Sequence, residues 1–418
     1  MSRLQRSRLG RVVAVGLTSA LVSVGAIAVS APVAQGATTL TPSTTADDGS
    51  SESLRYLLEL TAVDGDTIQL EAGAVYVLDR CAGGTEVEPA VSLGEGDIRI
   101  SAAVIIQGNG ATIRQTCEGQ RVLYTEDNLS LVNVTITGGT AIGGGGGVRI
   151  DGEGEPAFFL VGSSIVGNCS TGSGGGIKMN ADGNVIIANS TIARNAADDN
   201  GGGLSHSHDG DVAIQNSTIT ENTAAIVGGV EVRDGDLTLV YTDVVNNSLS
   251  TGTDCGVVSG DVGDDAEDAS LEPAAVVYPV NIVVNGEGSV LRSFGSVVAV
   301  HPGGVNCGVE STTSSGYNFA DDQTCGFVDP TDKQSGAPGL GSLASNGGPT
   351  QTLLPQNDSP LVDAIPNSAC GGVIALAQGA VPTDQRNLVR PSPTGGACDI
   401  GAVEVQTQPV VVEPTFTG

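Results

Sequence analysis

One short phrase recurs five times between Leu131 and Val244. It reads Leu-Val-Asn-Val-Thr-Ile at 131–136, Leu-Val-Gly-Ser-Ser-Ile at 160–165 and Ile-Ala-Asn-Ser-Thr-Ile at 187–192. It returns as Ile-Gln-Asn-Ser-Thr-Ile at 214–219 and Leu-Val-Tyr-Thr-Asp-Val at 239–244. The closing residues Ile136, Ile165, Ile192, Ile219 and Val244 are spaced 29, 27, 27 and 25 residues apart. Between copies a glycine run leads into an apolar residue: Gly147 into Val148, Gly176 into Ile177, Gly203 into Leu204 and Gly229 into Val230. A period in this range means one supersecondary unit stacked on the next, because a single unit cannot bury its own apolar face. With 61 Gly, no Trp and 3% aromatic residues, the chain suits thin coils around a narrow core of Val, Ile, Leu and Ala.

Side chains alternate along a strand, so the faces can be assigned. With Val148, Ile177, Leu204 and Val230 inward, Ile150, Met179, His206 and Val232 are inward too. Arg149, Lys178, Ser205 and Glu231 then form an outward column. Asn168, Asn195, Asn222 and Asn247 each fall three residues beyond a closing core residue. Stacked Asn at such a corner bond to one another and tolerate a left-handed backbone.

The first residues are basic (Arg3, Arg6, Arg8, Arg11), followed by an apolar run from Val12 to about Val29 and the small-residue stretch Ala34-Gln35-Gly36-Ala37. This is the layout of a secretory signal peptide, assigned to 1–37. Its removal leaves 13 basic against 47 acidic residues, a balance of −34. That balance argues against nucleic acid and anionic membrane as partners and leaves room for calcium. Eight Cys in an exported chain favour disulfides. The local pairs Cys307–Cys325 and Cys370–Cys398 are preferred, and Cys81–Cys117 is placed to close the first coils. Cys169 and Cys255 remain, about three repeats apart, and bridging them requires the chain to fold back.

Residues 38–48 read as a linker. Ser53 offers a cap for a short amphipathic helix, Leu54 to Leu60, whose Leu54, Leu57 and Leu58 with Ala62 share one face. Such a lid would cover the otherwise open first coil. Strands are expected at Thr67–Leu70, Val75–Leu78, Ile98–Ile100, Val104–Ile106, Val122–Tyr124, Val276–Val284 and Ser289–Val300. The solenoid with its cap spans 49–335. The Pro/Gly-rich region 336–405 reads as a C-terminal cap and 406–418 as a tail without a spanning helix.

The pattern Ile-x-x-Asn followed by Gly-Gly-apolar, as in Ile165–Asn168 with Gly174–Ile177, resembles the repeat of polymorphic outer-membrane proteins and related right-handed parallel β-helices. Ser53-Leu54-Arg55 with Gly65-Asp66-Thr67-Ile68 resembles the N-terminal cap of bacterial surface β-helix proteins, although the Cys and Glu-Ala of their signature are replaced here. Asn346-Gly347-Gly348-Pro349-Thr350-Gln351-Thr352, Ser359-Pro360-Leu361, Thr383-Asp384-Gln385-Arg386 and Cys398-Asp399-Ile400-Gly401-Ala402 resemble the end of the choice-of-anchor Q family. That family implies a surface protein. Asp384, Arg386 and Asp399 are read as an ion-pair and hydrogen-bond lattice fixing the cap.

Parallel β-helices include pectate lyases and polygalacturonases, so catalysis has to be weighed. A lyase needs a base and acids that hold calcium. Lys178 beside Arg149 is the candidate base, against the ordinary reading of a solvated pair on a coil face. A hydrolase needs two carboxylates about 5–9.5 Å apart. Asp198 and Asp199, with His206 one strand on, form the best cluster, although Asp-Asp-Asn-Gly is ordinary turn chemistry. Calcium is the expected cation if there is one, at Asp261, Asp264, Asp265 and Asp268. Asp64/Asp66, Asp209/Asp211 and Asp234/Asp236 read as turns.

The expectation is therefore an all-β, single-stranded right-handed parallel β-helix (pectin-lyase-like) with a short N-terminal helical cap. It is expected to be secreted or at the cell surface, monomeric and without a membrane span once mature. Adhesion, or binding of a glycan or host-surface ligand, is the leading function. A polysaccharide lyase or glycoside hydrolase is the alternative.

Overall fold

Each coil is built from three short strands separated by corners. A computed structural model of the protein describes residues 37–82, 95–152, 154–250, 255, 278–299, 305–371 and 381–406. The first wall of the solenoid stacks Val148–Asp151, Ile177–Asn180, Leu204–His206, Val230–Arg233 and Pro279–Asn285. The second stacks Phe158–Val161, Val185–Ala188, Val212–Gln215, Leu237–Val240 and Leu291–Phe294. The third stacks Ser164–Val166, Thr191–Ala193, Thr218–Thr220, Asp243–Val245 and Val297–Ala299. Two-residue strands such as Ala196–Ala197 make a fourth, minor ladder at the corner. All of these ladders are parallel. The outcome is a right-handed-type parallel β-solenoid of about eight turns.

The repeats stack in perfect register. Ile136 pairs with Ile165, Ile165 with Ile192, Ile192 with Ile219 and Ile219 with Val244. These side chains are fully buried, as are Val148, Ile177, Leu204, Val230 and the inward set Ile150, Met179, His206 and Val232. Burying one such aliphatic side chain contributes about 1.5–3 kcal/mol, so the narrow core is stabilised by repetition rather than by bulk.

The Asn column is a continuous ladder. Asn168 Nδ2 donates to Asn195 Oδ1, Asn195 to Asn222 and Asn222 to Asn247, each at 3.0 Å. It runs on through Asn281 to Asn306. The left-handed residue lies one position earlier than the sequence suggests, at Gly167, Arg194, Glu221 and Asn246. The ladder Asn themselves are thus free to aim along the axis, each amide also donating to a carbonyl of the preceding coil. A second corner repeats the device with hydroxyls: Ser163 N donates to Ser190 Oγ and Ser190 N to Ser217 Oγ.

The two ends are closed differently from the sequence expectation. The N-terminal helix is one α-turn, Leu54–Tyr56, continued by a π-turn, Leu57–Thr61. It buries Leu54, Leu57, Leu58 and Ala62 over the first coils. Within the expected linker, Thr39–Leu40 is a strand paired with Thr67–Ile68, and Asp47 is buried against Arg55. The far end is filled by Phe327 and the Cys307–Cys325 disulfide, both part of the solenoid core. Residues 336–371 and 381–405, from the region expected to cap that end, lie along the side of the coils instead. They pack Leu343, Leu353, Leu361, Ile365 and Ile400 onto the outer face of the third wall and onto Val240 and Phe294 at the edge of the second. Gln385 inserts between coils, accepting from Thr218 Oγ1 at 2.7 Å and donating to Ser190 O at 3.0 Å. Asp384 and Arg386 form the expected lattice, with Arg386 Nη2 at 2.6 Å from Asp384 Oδ2.

Four disulfides are present: Cys81–Cys117, Cys169–Cys255, Cys307–Cys325 and Cys370–Cys398. The bridge that requires a fold-back, Cys169–Cys255, has its Cα atoms 5.6 Å apart. Three rungs separate Cys169 from the strand Ser248–Leu249. That is about 14 Å at the strand spacing, within reach of the few residues between Leu249 and Cys255.

Candidate functional site

Two outer faces of the solenoid carry the side chains that stacking does not require. On the first wall, Arg99, Tyr124, Arg149, Lys178, Ser205 and Glu231 stand in one cross-strand column. They point outward as the alternation dictates, but they are not solvated. Arg149, Lys178 and Glu231 are 5%, 7% and 2% exposed, which corrects the reading of Lys178 and Arg149 as a solvated pair. A buried charge needs partners, and the column supplies them. Arg149 Nε donates to both carboxylate oxygens of Asp151. Lys178 Nζ donates to Ser205 Oγ at 3.4 Å, Ser205 Oγ donates to Glu231 Oε2 at 2.8 Å, and Arg233 closes the chain on Glu231. Arg99 stacks over the Tyr124 ring at 4.6 Å. Lys178 is therefore held as a bonded member of a polar ladder.

The cluster of Asp198, Asp199 and His206 is not assembled. Asp198 and Asp199 sit half-buried at the outer corner loop, their backbones bonded to neighbouring coils. His206 points into the solenoid and is fully buried. Its Nε2 donates to Gly183 O at 2.7 Å, while Nδ1 has no hydrogen-bond partner. Desolvation holds this imidazole below its ordinary value, so it stays neutral in the core and does not face the two carboxylates. A histidine whose folded pKa is depressed contributes stability above its unfolded pKa of about 6.5, which is lost as pH falls from there towards the folded value. His206→Leu is expected to remove that loss. The difference in urea midpoint between variant and wild type should grow in the variant's favour as pH is lowered from about 7.5 to about 5. A constant difference across pH would show that His206 does not titrate in the fold.

The turn acids act as coil-to-coil caps. Asp66 accepts from Thr38 N and Val63 N, Asp211 from Asp236 N, and Asp236 from Val290 N while pairing with Arg292. Among the described residues no group of three or more His, Cys, Asp or Glu is arranged to hold a metal. The calcium candidates Asp261, Asp264, Asp265 and Asp268 lie outside the described residues, as do the segment 1–36 and the tail from 407.

The second wall presents the other face. Here Ile105, Ser130, Phe159, Ile186 and Ala213 lie in one row, and Gln107, Val132, Val161, Ala188 and Gln215 in the next. Ile105, Val132, Phe159, Val161 and Ile186 are partly exposed. The sequence carried a signal for this face. Phe158-Phe159-Leu160-Val161 and Val185-Ile186-Ile187-Ala188 are continuous apolar runs, whereas a half-buried strand alternates. Phe158, Leu160, Val185 and Ile187 fill the core, so the intervening residues must be apolar on the outside. Phe159 is thus an outward aromatic in coils that otherwise have few.

Fold and faces together define a right-handed-type parallel β-helix with four disulfides. No family model and no curated protein matches the chain. Among solved structures it is similar to one described as the crystal structure of pectate lyase Pel9A. That similarity covers 88% of this chain and 98% of the other at 15% identity, with a TM-score of 0.37. No helix among the described residues is long and apolar enough to cross a membrane.

Proposed function

We propose that this chain is an exported or cell-surface β-helix protein that acts by binding, and that the outer face of the second wall is its adhesion surface for a glycan. One contrast carries the reading. Of the side chains that could perform catalysis, His206 goes into the core, Asp198 and Asp199 go to a corner, and Lys178 and Arg149 are tied into a buried polar ladder, whereas Phe159, Val161, Val132 and Ile186 share one partly exposed apolar strip. An exposed apolar patch of this kind marks a contact surface. Sugar rings present an apolar face to an aromatic such as Phe159, and Gln107 and Gln215 at the margins suit their hydroxyls. Four disulfides fit an oxidising compartment. The region resembling choice-of-anchor Q packs on the third wall and on Val240 and Phe294 of the second, while Phe159, Val161, Val132 and Ile186 in the earlier coils stay partly exposed.

The test is a panel of neutral and acidic glycans and intact cell surfaces, with and without calcium, assayed for retention and for products. Phe159→Ser is expected to weaken retention by about tenfold or more with an unchanged melting temperature, and no new reducing ends or unsaturated sugars should appear. Products that vanish on Asp199→Ala or Lys178→Ala would replace this reading with a polysaccharide lyase or hydrolase.

A further inference from the structure

The side-lying region 336–405 meets the coils over a buried group of acids. Asp243 stands on the outer face of the third wall at 1% exposure. Its cross-strand neighbours are Thr218 and Val297, so among the described residues no cation stands beside it in the ladder. From the docked region Ala402 N donates to Asp243 Oδ1 at 3.2 Å. Gly401 comes so close that a Cβ there would lie 2.4 Å from the same oxygen. Two more carboxyls are buried within the docked region behind that contact. Glu404 is fully buried, accepting from Ser392 N at 2.8 Å and Asp399 N at 2.9 Å. Asp399, 2% exposed, accepts from Asp363 N and Val405 N. The nearby cation is Arg390, 3.4 Å from Glu404, stacked 4.1 Å over the Tyr241 ring and donating to Asp399 O and Gly401 O. The neighbouring Asp384 is paired with Arg386. The Tyr241 hydroxyl donates to Cys370 O.

We infer that this region is a clamp fastened in acid and loosened towards neutral pH, because the buried carboxyls Asp243, Asp399 and Glu404 lie around one guanidinium, Arg390, that among the described residues pairs directly with Glu404 alone, and the docked state must hold a proton that the undocked state releases. Burial pushes Asp243 up to about 7 from 3.8 and Glu404 up to about 7 from 4.5, and raises Asp399 as well. Burial also pushes the Tyr241 hydroxyl up to about 12, so it stays neutral throughout. A carboxyl raised in the docked state favours docking fully below its undocked value, and that contribution is lost as pH rises through the docked value. The opening constant of the clamp should therefore climb between the ordinary carboxylate range and about pH 7, by up to about tenfold per unit for each proton released, and level off above it. Opening would uncover the apolar surface formed by Val240, Phe294, Val297 and Ala299.

Hydrogen exchange on the full chain, corrected for intrinsic rate, reads this directly. The amides of Gln385, Gly401 and Ala402, which bond across the interface or within the clamp, are compared with core amides near Ile187 and Ile214. Between about pH 5 and about pH 7 the clamp amides are expected to lose at least about tenfold in protection while the core amides hold theirs. Asp243→Asn keeps an acceptor for Ala402 without a charge, and should flatten the slope and raise protection at neutral pH above that of the wild type. Glu404→Gln should reduce the slope independently, and carries the test if the first variant does not fold. A clamp whose protection is independent of pH overturns the inference. So does a slope unchanged in both variants, or a loss shared equally by the core amides.

Discussion

Replacing Arg55 with Met is expected to detach the N-terminal lid, costing that end of the solenoid about 3–5 kcal/mol. Arg55 is 1% exposed, and every donor it points inward is used. Nε and Nη2 reach Asp47 Oδ1 and Oδ2 at 2.7 Å each, Nη1 reaches Glu59 Oε1 at 3.3 Å, and the remaining bonds go to Gly96 O and Asp97 O. The Asp47 and Glu59 side chains are both 2% exposed. Removing the guanidinium takes the bidentate partner from Asp47 and a cation from Glu59, leaving longer bonds such as those from Arg80 N and Arg99 N, and a buried charge that loses its main partner is far costlier than a lost surface pair. The damage is local because each coil touches only its neighbours. Leu54, Leu58 and Ile68 become accessible while the middle coils persist. Limited proteolysis near residue 60 and a separate early unfolding transition are the readouts. Adding Asp47→Asn and Glu59→Gln to the variant should recover part of the loss, since the stranded charges are gone. A single variant that melts like wild type would show that packing of Leu54 and Leu58 alone holds the lid.

The fold was legible because the repeat writes its own register. Once Ile165, Ile192 and Ile219 are recognised as one column, strand positions, inward residues and the Asn ladder follow from alternation. The shared face of Leu54, Leu57 and Leu58 is likewise readable as a short helical lid, and those residues are buried over the first coils. Long-range placement was less legible. Nothing in residues 336–405 repeats, so their docking along the third wall depends on contacts such as Gln385 to Thr218 that no periodicity announces. The outward apolar residues Val240, Val245 and Val297 were the trace of that docking, but alternation alone does not distinguish a face covered by the chain from one open to a partner. The candidate site suffered from the same ambiguity. Alternation places Lys178 and Arg149 outward, but outward is not the same as solvated, and the polar ladder of Asp151, Ser205 and Glu231 keeps them buried. His206 was correctly placed inward, and that placement already separated it from Asp198 and Asp199.

The glycine runs carry the second large effect. Gly202→Ala is expected to cost about 3 kcal/mol or more, at or beyond the upper end for an overpacked core site. A Cβ at this position would lie 2.3 Å from Thr223 O and 2.6 Å from Gly228 O, backbone atoms of the next coil. Those atoms cannot rotate away as a side chain would. They are fixed by ladder bonds from Gly202 N to Val227 O and Gly203 N to Gly228 O. The same column recurs at Gly146 and Gly175, where a Cβ would fall 2.3 Å from Cys169 O and from Ala196 O. One methyl group therefore has to push two coils apart, and the strain passes into the Asn ladder beside it, where Asn195 and Asn222 bond at 3.0 Å. Gly154→Ala is the control, because nothing lies within 4 Å of its Cβ position, and it should change stability by no more than about 0.5 kcal/mol. Chemical unfolding of both variants decides the matter. If Gly202→Ala unfolds no earlier than Gly154→Ala, coil spacing does not require the glycines, and their recurrence beside Val148, Ile177, Leu204 and Val230 would need an explanation other than the close approach of stacked backbones.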